Sequence, residues 1–197
     1  MMIAEIVFWL CSPESAAPLR WNLDGVEIII RKPKPDLYGG RSGKLPLTGV
    51  SLIKKFEGFY PNAYPDPLSG GPPITIGWGA TLDWHNKPWH LGDRISRKAA
   101  DELLIYQLEK DYLPKLEKIP GWEKLNVRQR GALLSFAYNL GADFYGNPQF
   151  HSITKVLDRR DFKHIEKVLT LYRNPGSRVE GGLRNRRLTE AWIFQHN

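Results

Sequence analysis

A short apolar-faced helix that must stop at a carboxylate and pass straight into a Gly/Pro-punctuated hairpin constrains this chain more than any other feature. Within residues 48–81, TGVSLIKKFEGFYPNAYPDPLSGGPPITIGWGAT, the side chains of Leu52, Ile53 and Phe56 recur at helical spacing and mark one buried side. Glu57-Gly58 ends the helix, because glycine supplies the backbone freedom that a helix terminus calls for. The remainder is turn-rich and closes on Ile74-Thr75-Ile76-Gly77-Trp78-Gly79, which predicts a pair of short strands. Glu57 would then sit at the lip of the helix, facing whatever the strands enclose. That place suits a working acid, although a glutamate before a glycine at a helix end is by default merely solvated.

Further along the chain the pattern is helical. Ser96 is predicted to start a helix with Asp101 and Glu102 near its beginning and Ala100, Leu104 and Leu108 on one face, ending near Pro114. Asn126-x-x-Gln129 reads as a capping-box variant opening a helix whose stripe is Leu133, Ala137 and Leu140 and which stops at Gly141; this is the expected central, buried helix. Helical stretches follow at Ile153–Leu157 and Phe162–Leu171, Asn174-Pro175-Gly176 breaks the chain, and Leu183–Phe194 forms the last helix. The expected fold class is α+β: mainly helical, with a small antiparallel sheet between the first and second helices.

The N-terminal quarter reads differently. Val26–Arg31 (VEIIIR) is β-branched and strand-like, and KPKPDLYGGRSGKLP has the composition of a linker, so a boundary near Pro46 separates an extension, residues 1–45, from the unit at 46–197. The apolar run from Ile6 to Cys11 is too short to cross a bilayer and follows no Lys or Arg, so neither a signal peptide nor a transmembrane segment is expected. Cys11 is the single cysteine, which excludes an intramolecular disulfide and reads as an apolar filler. With 42% hydrophobic residues and seven Trp, one sizeable core is within reach. The net charge of +7 and a pI near 9.5 imply attraction to polyanions, whether nucleic acid, anionic lipid or a bacterial wall; charge alone does not choose among them.

FEGFYPNAYPDP followed by TIGWGAT resembles the bacteriophage-type lysozymes, glycoside hydrolase family 24 endolysin muramidases, whose pattern is a glutamate, eight residues, an aspartate, then a threonine in a T-I-G-x-G strand. Two later stretches, RQRGALLSFAYNLG and EGGLRNRRLTEAWIF, resemble the family's A-L-x-S-F-x-x-N-x-G helix and its closing G-L-x-x-R-R-x-x-E helix. One departure is the longer gap between Asp66 and Thr75, PLSGGPPI, which enlarges the hairpin tip. The resemblance implies a lysozyme-like catalytic domain over 46–197 and peptidoglycan glycan strands as substrate. It also implies inverting hydrolysis of the β-1,4 bond between N-acetylmuramic acid and N-acetylglucosamine. Glu57 would be the acid, Asp66 with the Thr75 hydroxyl would hold the attacking water, and Arg186 would be the last-helix arginine that pairs with the glutamate. Phe56, Phe59 and Ile76 are placed to desolvate Glu57.

Two rival functions are a lytic transglycosylase, which needs one glutamate and neither Asp66 nor Thr75, and a non-catalytic module that binds wall or other polyanions through its basic charge. No cofactor is implied, and the spacing of His85 and His90 fits no regular metal-ligand pattern. A monomer acting on the bacterial wall, with no specific nucleic-acid partner and no membrane insertion, is the expected form. Trp78, Trp84 and Trp89 could stack on sugars, but core packing is the favoured reading. Asn139 reads as a hydrogen-bonded core polar residue.

Overall fold

The computed structural model describes residues 4–7, 19–23, 26–31, 44–66 and 69–196; Cys11 and the 32–43 part of the expected linker lie outside the described residues. In the N-terminal stretch β1 (Ala4–Val7), β2 (Leu19–Leu23) and β3 (Val26–Arg31) form a sheet of order β1-β3-β2, with β1 parallel and β2 antiparallel to β3. β3 is the strand the β-branched run predicts. Its partners are legible unevenly: β1 (AEIV) is short and barely alternates, whereas β2 (LRWNL) alternates apolar and polar residues, a strand signal the sequence reading did not use.

From residue 45 onward the chain builds one helical core. Helix α1 (Leu47–Glu57) buries Val50, Leu52 and Ile53 and ends where Gly58, at φ +72°, turns its N–H back to the Lys54 carbonyl at 3.2 Å. β4 (Tyr60–Tyr64) and β5 (Thr75–Gly77) follow as the antiparallel pair. Helix α2 (Arg97–Gln107) begins at Ser96, whose hydroxyl accepts the Ala99 N–H. The expected run to Pro114 is broken: a π-helical turn at Leu108–Tyr112 leads into the single turn α3 (Leu113–Leu116), with Pro114 in its first turn. A proline without an N–H, whose ring presses on the carbonyl four residues earlier, accounts for the widening just before it.

Helix α4 (Val127–Leu140) lies at the centre, packed between α1 and α7 (Glu180–Gln195). The capping box is complete: Asn126 Oδ1 accepts the N–H groups of Arg128 and Gln129, and Gln129 Oε1 accepts that of Asn126. α5 (His151–Arg159) and α6 (Ile165–Leu169) close the far side, where Phe136 meets Phe144 and Tyr172 edge-on at 5.0 and 5.3 Å. The α1–α4 crossing is backbone-close. A Cβ added at Gly49 would stand 2.7 Å from the Gly131 carbonyl, and one added at Gly131 would stand 2.7 Å from the Gly49 nitrogen. Among the described residues no helix is long and apolar enough to cross a membrane.

Candidate active site

Two helix ends and one strand turn converge on Glu57. The Ile76 and Ala80 backbones bond to each other in both directions at 2.9 Å, closing a tight loop through Gly77, Trp78 and Gly79. Gly77 and Gly79 have φ of +66° and +100°. At Gly79 the requirement is double, because a Cβ there would lie 3.6 Å from Glu57 Oε2 and 3.4 Å from the Tyr138 hydroxyl. Trp78 anchors this loop to both neighbouring helices. Its indole N–H donates to Asp101 at 2.7 Å, Lys54 pairs with the same carboxylate at 2.6 Å, and its ring lies against Phe59. Trp78 is buried, and Trp84 and Trp89 pack half-buried against the core.

The side chain of Glu57 is 25% exposed, and its Oε1 accepts a 2.6 Å hydrogen bond from Arg186 Nη1. Arg186 is almost fully buried. Its Nη2 donates to the Ser135 carbonyl at 3.1 Å, and its Nε donates at 3.2 Å to Glu190, which is fully buried and also accepts the Ser135 hydroxyl at 2.6 Å. The guanidinium that touches Glu57 is thus balanced from behind by a second carboxylate. Beside it, Arg187 is fully buried over the Phe136 ring and donates from Nη2 to Asn139 Oδ1 at 2.7 Å.

In front of Glu57 opens a cleft of about 440 Å³. Gly79–Leu82 form one wall, and Gln107, Asp111, Tyr112 and Lys115, from α2 through α3, form another; Tyr138 and Asn139 lie at the end of α4. The Tyr138 hydroxyl donates to the Trp78 carbonyl at 2.9 Å, and burial pushes its pKa well above the usual phenol value, so it remains a neutral donor. Asn139 is hydrogen-bonded, as the sequence reading expects, but its place in the core is corrected. It is half-buried and lines the cleft, because α4 is in its last turn there and no longer enclosed.

Asp66 and Thr75 lie on the hairpin and are not part of that cleft lining. Thr75 pairs with Tyr64 and Gly77 with Tyr60, so β4 spends four residue steps where β5 spends two, a bulge that keeps the two pairings about 7 Å apart. On its other edge β4 bonds to the chain at Asp93–Ile95. Beyond β4 the Asp66 N–H donates to the Gly71 carbonyl and the Gly70 N–H to the Asp66 carbonyl, while the Asp66 carboxylate accepts the Ser69 N–H at 3.3 Å. The extra tip residues therefore turn off beyond Asp66, with Gly70 at φ +69° and open space around Gly70 and Gly71.

The phage lysozyme model matches residues 54–190, a span that contains Glu57, the hairpin and the buried arginines. The chain belongs to the phage lysozyme family. It is accordingly a glycoside hydrolase of the lysozyme type that acts on peptidoglycan. Among solved structures the fold is similar to the endolysin from Escherichia coli O157:H7 phage FAHEc1, at 24% identity and TM-score 0.60, covering 77% of this chain and 93% of that one. It is also similar to the muramidase domain of SpmX from Asticaccaulis excentricus, at 25% identity and TM-score 0.59 over 78% and 99% of the two chains. The active form of the P1 phage endolysin Lyz shares 18% identity at TM-score 0.61, over 77% and 86%. No curated protein sequence matches the chain. The cleft residues of this lysozyme that sequence reasoning missed had one signal, the spacing of Gln107, Asp111 and Lys115 at every fourth position, which is also how a solvated helix face looks.

Proposed function

We propose that this lysozyme hydrolyses the β-1,4 bond between N-acetylmuramic acid and N-acetylglucosamine by inversion, with residues 46–197 as the catalytic unit. Glu57 protonates the leaving oxygen; Asp66, with the Thr75 hydroxyl, prepares the water on the opposite face; Arg186 holds Glu57. The observation that carries this is the division of labour between the two Glu57 oxygens. Oε1 is fixed by a buried guanidinium, and Oε2 faces Gly79 and the cleft, where a substrate oxygen can meet it. Because Gly79 has no side chain, nothing from that residue stands between the acid and the sugar.

An inverting glycosidase needs its carboxyl groups about 6.5–9.5 Å apart, to leave room for a water. The shared end of β4 and β5 brings Asp66 and Thr75 onto one hairpin end, in keeping with a joint role. Glu57→Gln removes the proton and keeps the shape, so lysis should fall by orders of magnitude with the melting temperature unchanged; more than about a tenth of the original rate would refute the acid. Hydrolysis in 18O water should place the label at the new reducing end with inverted configuration. Anhydro ends without label would indicate transglycosylation instead.

A further inference from the structure

Arg187 is an expensive residue. It is fully buried, its Nε and Nη1 have no hydrogen-bond partner among the described residues, and desolvation holds its pKa down to about 10. A well-packed apolar side chain at such a site is commonly no less stabilising than a buried ion pair. What the guanidinium does make is a 3.2 Å ion pair from Nε to Glu190 Oε2, out of hydrogen-bonding alignment, and the 2.7 Å bond from Nη2 to the side chain of Asn139.

The bond to Asn139 decides which way round the Asn139 amide sits. A guanidinium carries donors only, so the end of the amide it meets is the oxygen, and the NH2 group points away from it. Asn139 lines the cleft that Glu57 also lines, and among the described residues its Nδ2 has no protein partner, nor is it sealed from solvent. Of the other donors around the cleft, Gln107 Nε2 donates to the Leu82 carbonyl, Lys115 pairs with Asp143 at 2.5 Å and the Tyr138 hydroxyl bonds to Trp78, which leaves the hydroxyls of Thr81 and Tyr112 beside the Asn139 NH2. Asp111 and Glu57 contribute carboxylates.

We infer that Arg187 is a positioning residue that locks the Asn139 amide with its NH2 turned into the cleft, and that this NH2 donates to the acetamido carbonyl of a bound N-acetyl sugar. An amide carbonyl is a better acceptor than the ring or hydroxyl oxygens of a pyranose, and a neutral donor can meet it with little desolvation cost. The inference rests on the peptidoglycan reading of the site, and it deepens that reading by naming the sugar substituent the cleft recognises.

The test measures binding without turnover. In the full chain carrying Glu57→Gln, calorimetric titration with the β-1,4 tetramer of N-acetylglucosamine is compared with the tetramer of glucose. Adding Asn139→Asp replaces the cleft-facing donor by an acceptor and still gives Arg187 an oxygen. Affinity for the N-acetylated tetramer should then fall at least about tenfold, affinity for the glucose tetramer should not change, and the melting temperature should hold or rise. Asn139→Ala should weaken binding as much and lower the melting temperature, because it leaves the buried Arg187 Nη2 without its acceptor. Arg187→Met should weaken binding of the N-acetylated tetramer by a smaller factor, and in combination with Asn139→Asp should add nothing. Unchanged affinity in Asn139→Asp, or an equal loss for both tetramers, overturns the inference. Residual lysis by Glu57→Gln alone would instead count against the acid assignment, which these binding measurements do not use.

Discussion

Gly131→Ala tests whether the α1–α4 crossing is set by backbone contact. The new methyl group would collide with Thr48 Oγ1 and stand 2.7 Å from the Gly49 nitrogen. Thr48 can rotate away only by giving up its 3.0 Å bond to the Val127 carbonyl, a loss of about 1 kcal/mol. The Gly49 nitrogen belongs to the α1 backbone and cannot rotate, so the helix itself must shift, an overpacking cost of about 1–3 kcal/mol. Against this, alanine is favoured over glycine in a helix interior by about 1 kcal/mol. The net is a destabilisation of about 1–3 kcal/mol, or roughly 3–10 °C in melting temperature for a unit of this size. Gly182→Ala is the matched control: it is also helical, with nothing within 4 Å of the added methyl, and should raise the melting temperature. Calorimetric melts of the three proteins decide the matter. A Gly131→Ala protein that melts with or above the parent would refute the close crossing.

Three further outcomes are expected. A chain beginning at Leu45, which is buried in the helical core, should melt cooperatively and retain lytic activity; loss of soluble, cooperatively melting protein would make the N-terminal sheet integral to the fold. Asp66→Asn should abolish most turnover while Asp111→Asn, altering a carboxylate that lines the cleft, should act mainly on KM; the reverse pattern in steady-state kinetics would move the water-activating role to Asp111. The N–H of Gly176 and the Arg173 side chain hold the Glu180 carboxyl below its ordinary 4.5, so its contribution is present above that pH and lost as acid takes the solution through the lowered folded value. Glu180→Gln should therefore melt below the parent at pH 7, and the gap should close in acid; a gap independent of pH would refute the linkage.

Much of the fold was legible because its signals are local. The stop at Glu57-Gly58, the strand around Thr75, the Ser96 cap and the Asn126 capping box each rest on residues within one or two turns of each other, and they appear where the sequence places them. The π turn at Leu108–Tyr112 was not legible, because the apolar spacing of Leu104 and Leu108 continues smoothly into it and only Pro114 hints at a break. The candidate site divides the same way. Glu57 and Arg186 come from motifs, yet the reach of Arg186 across 129 residues to Glu57, and the burial of Glu190 and Ser135 behind it, depend on how α1, α4 and α7 pack. Polar letters in apolar helices, such as Ser135 and Asn139, were visible. Whether each faces the core or the cleft is decided by tertiary enclosure, which periodicity does not encode.

The close approach of Gly49 and Gly131 bears on alignment as well as on stability. Glu57 lies eight residues beyond Gly49 on α1, and Asn139 eight beyond Gly131 on α4. At about 1.5 Å per residue, each is carried about 12 Å from the crossing, and both reach the same cleft. The two helices are therefore arms of equal length on one pivot, and a rotation of about 5° at the pivot swings either tip by about 1 Å, an error of the size that can cost about a hundredfold in rate. The spacing between Glu57 and Asn139 is thus governed about two helical turns from the cleft, at a point defined by two missing side chains.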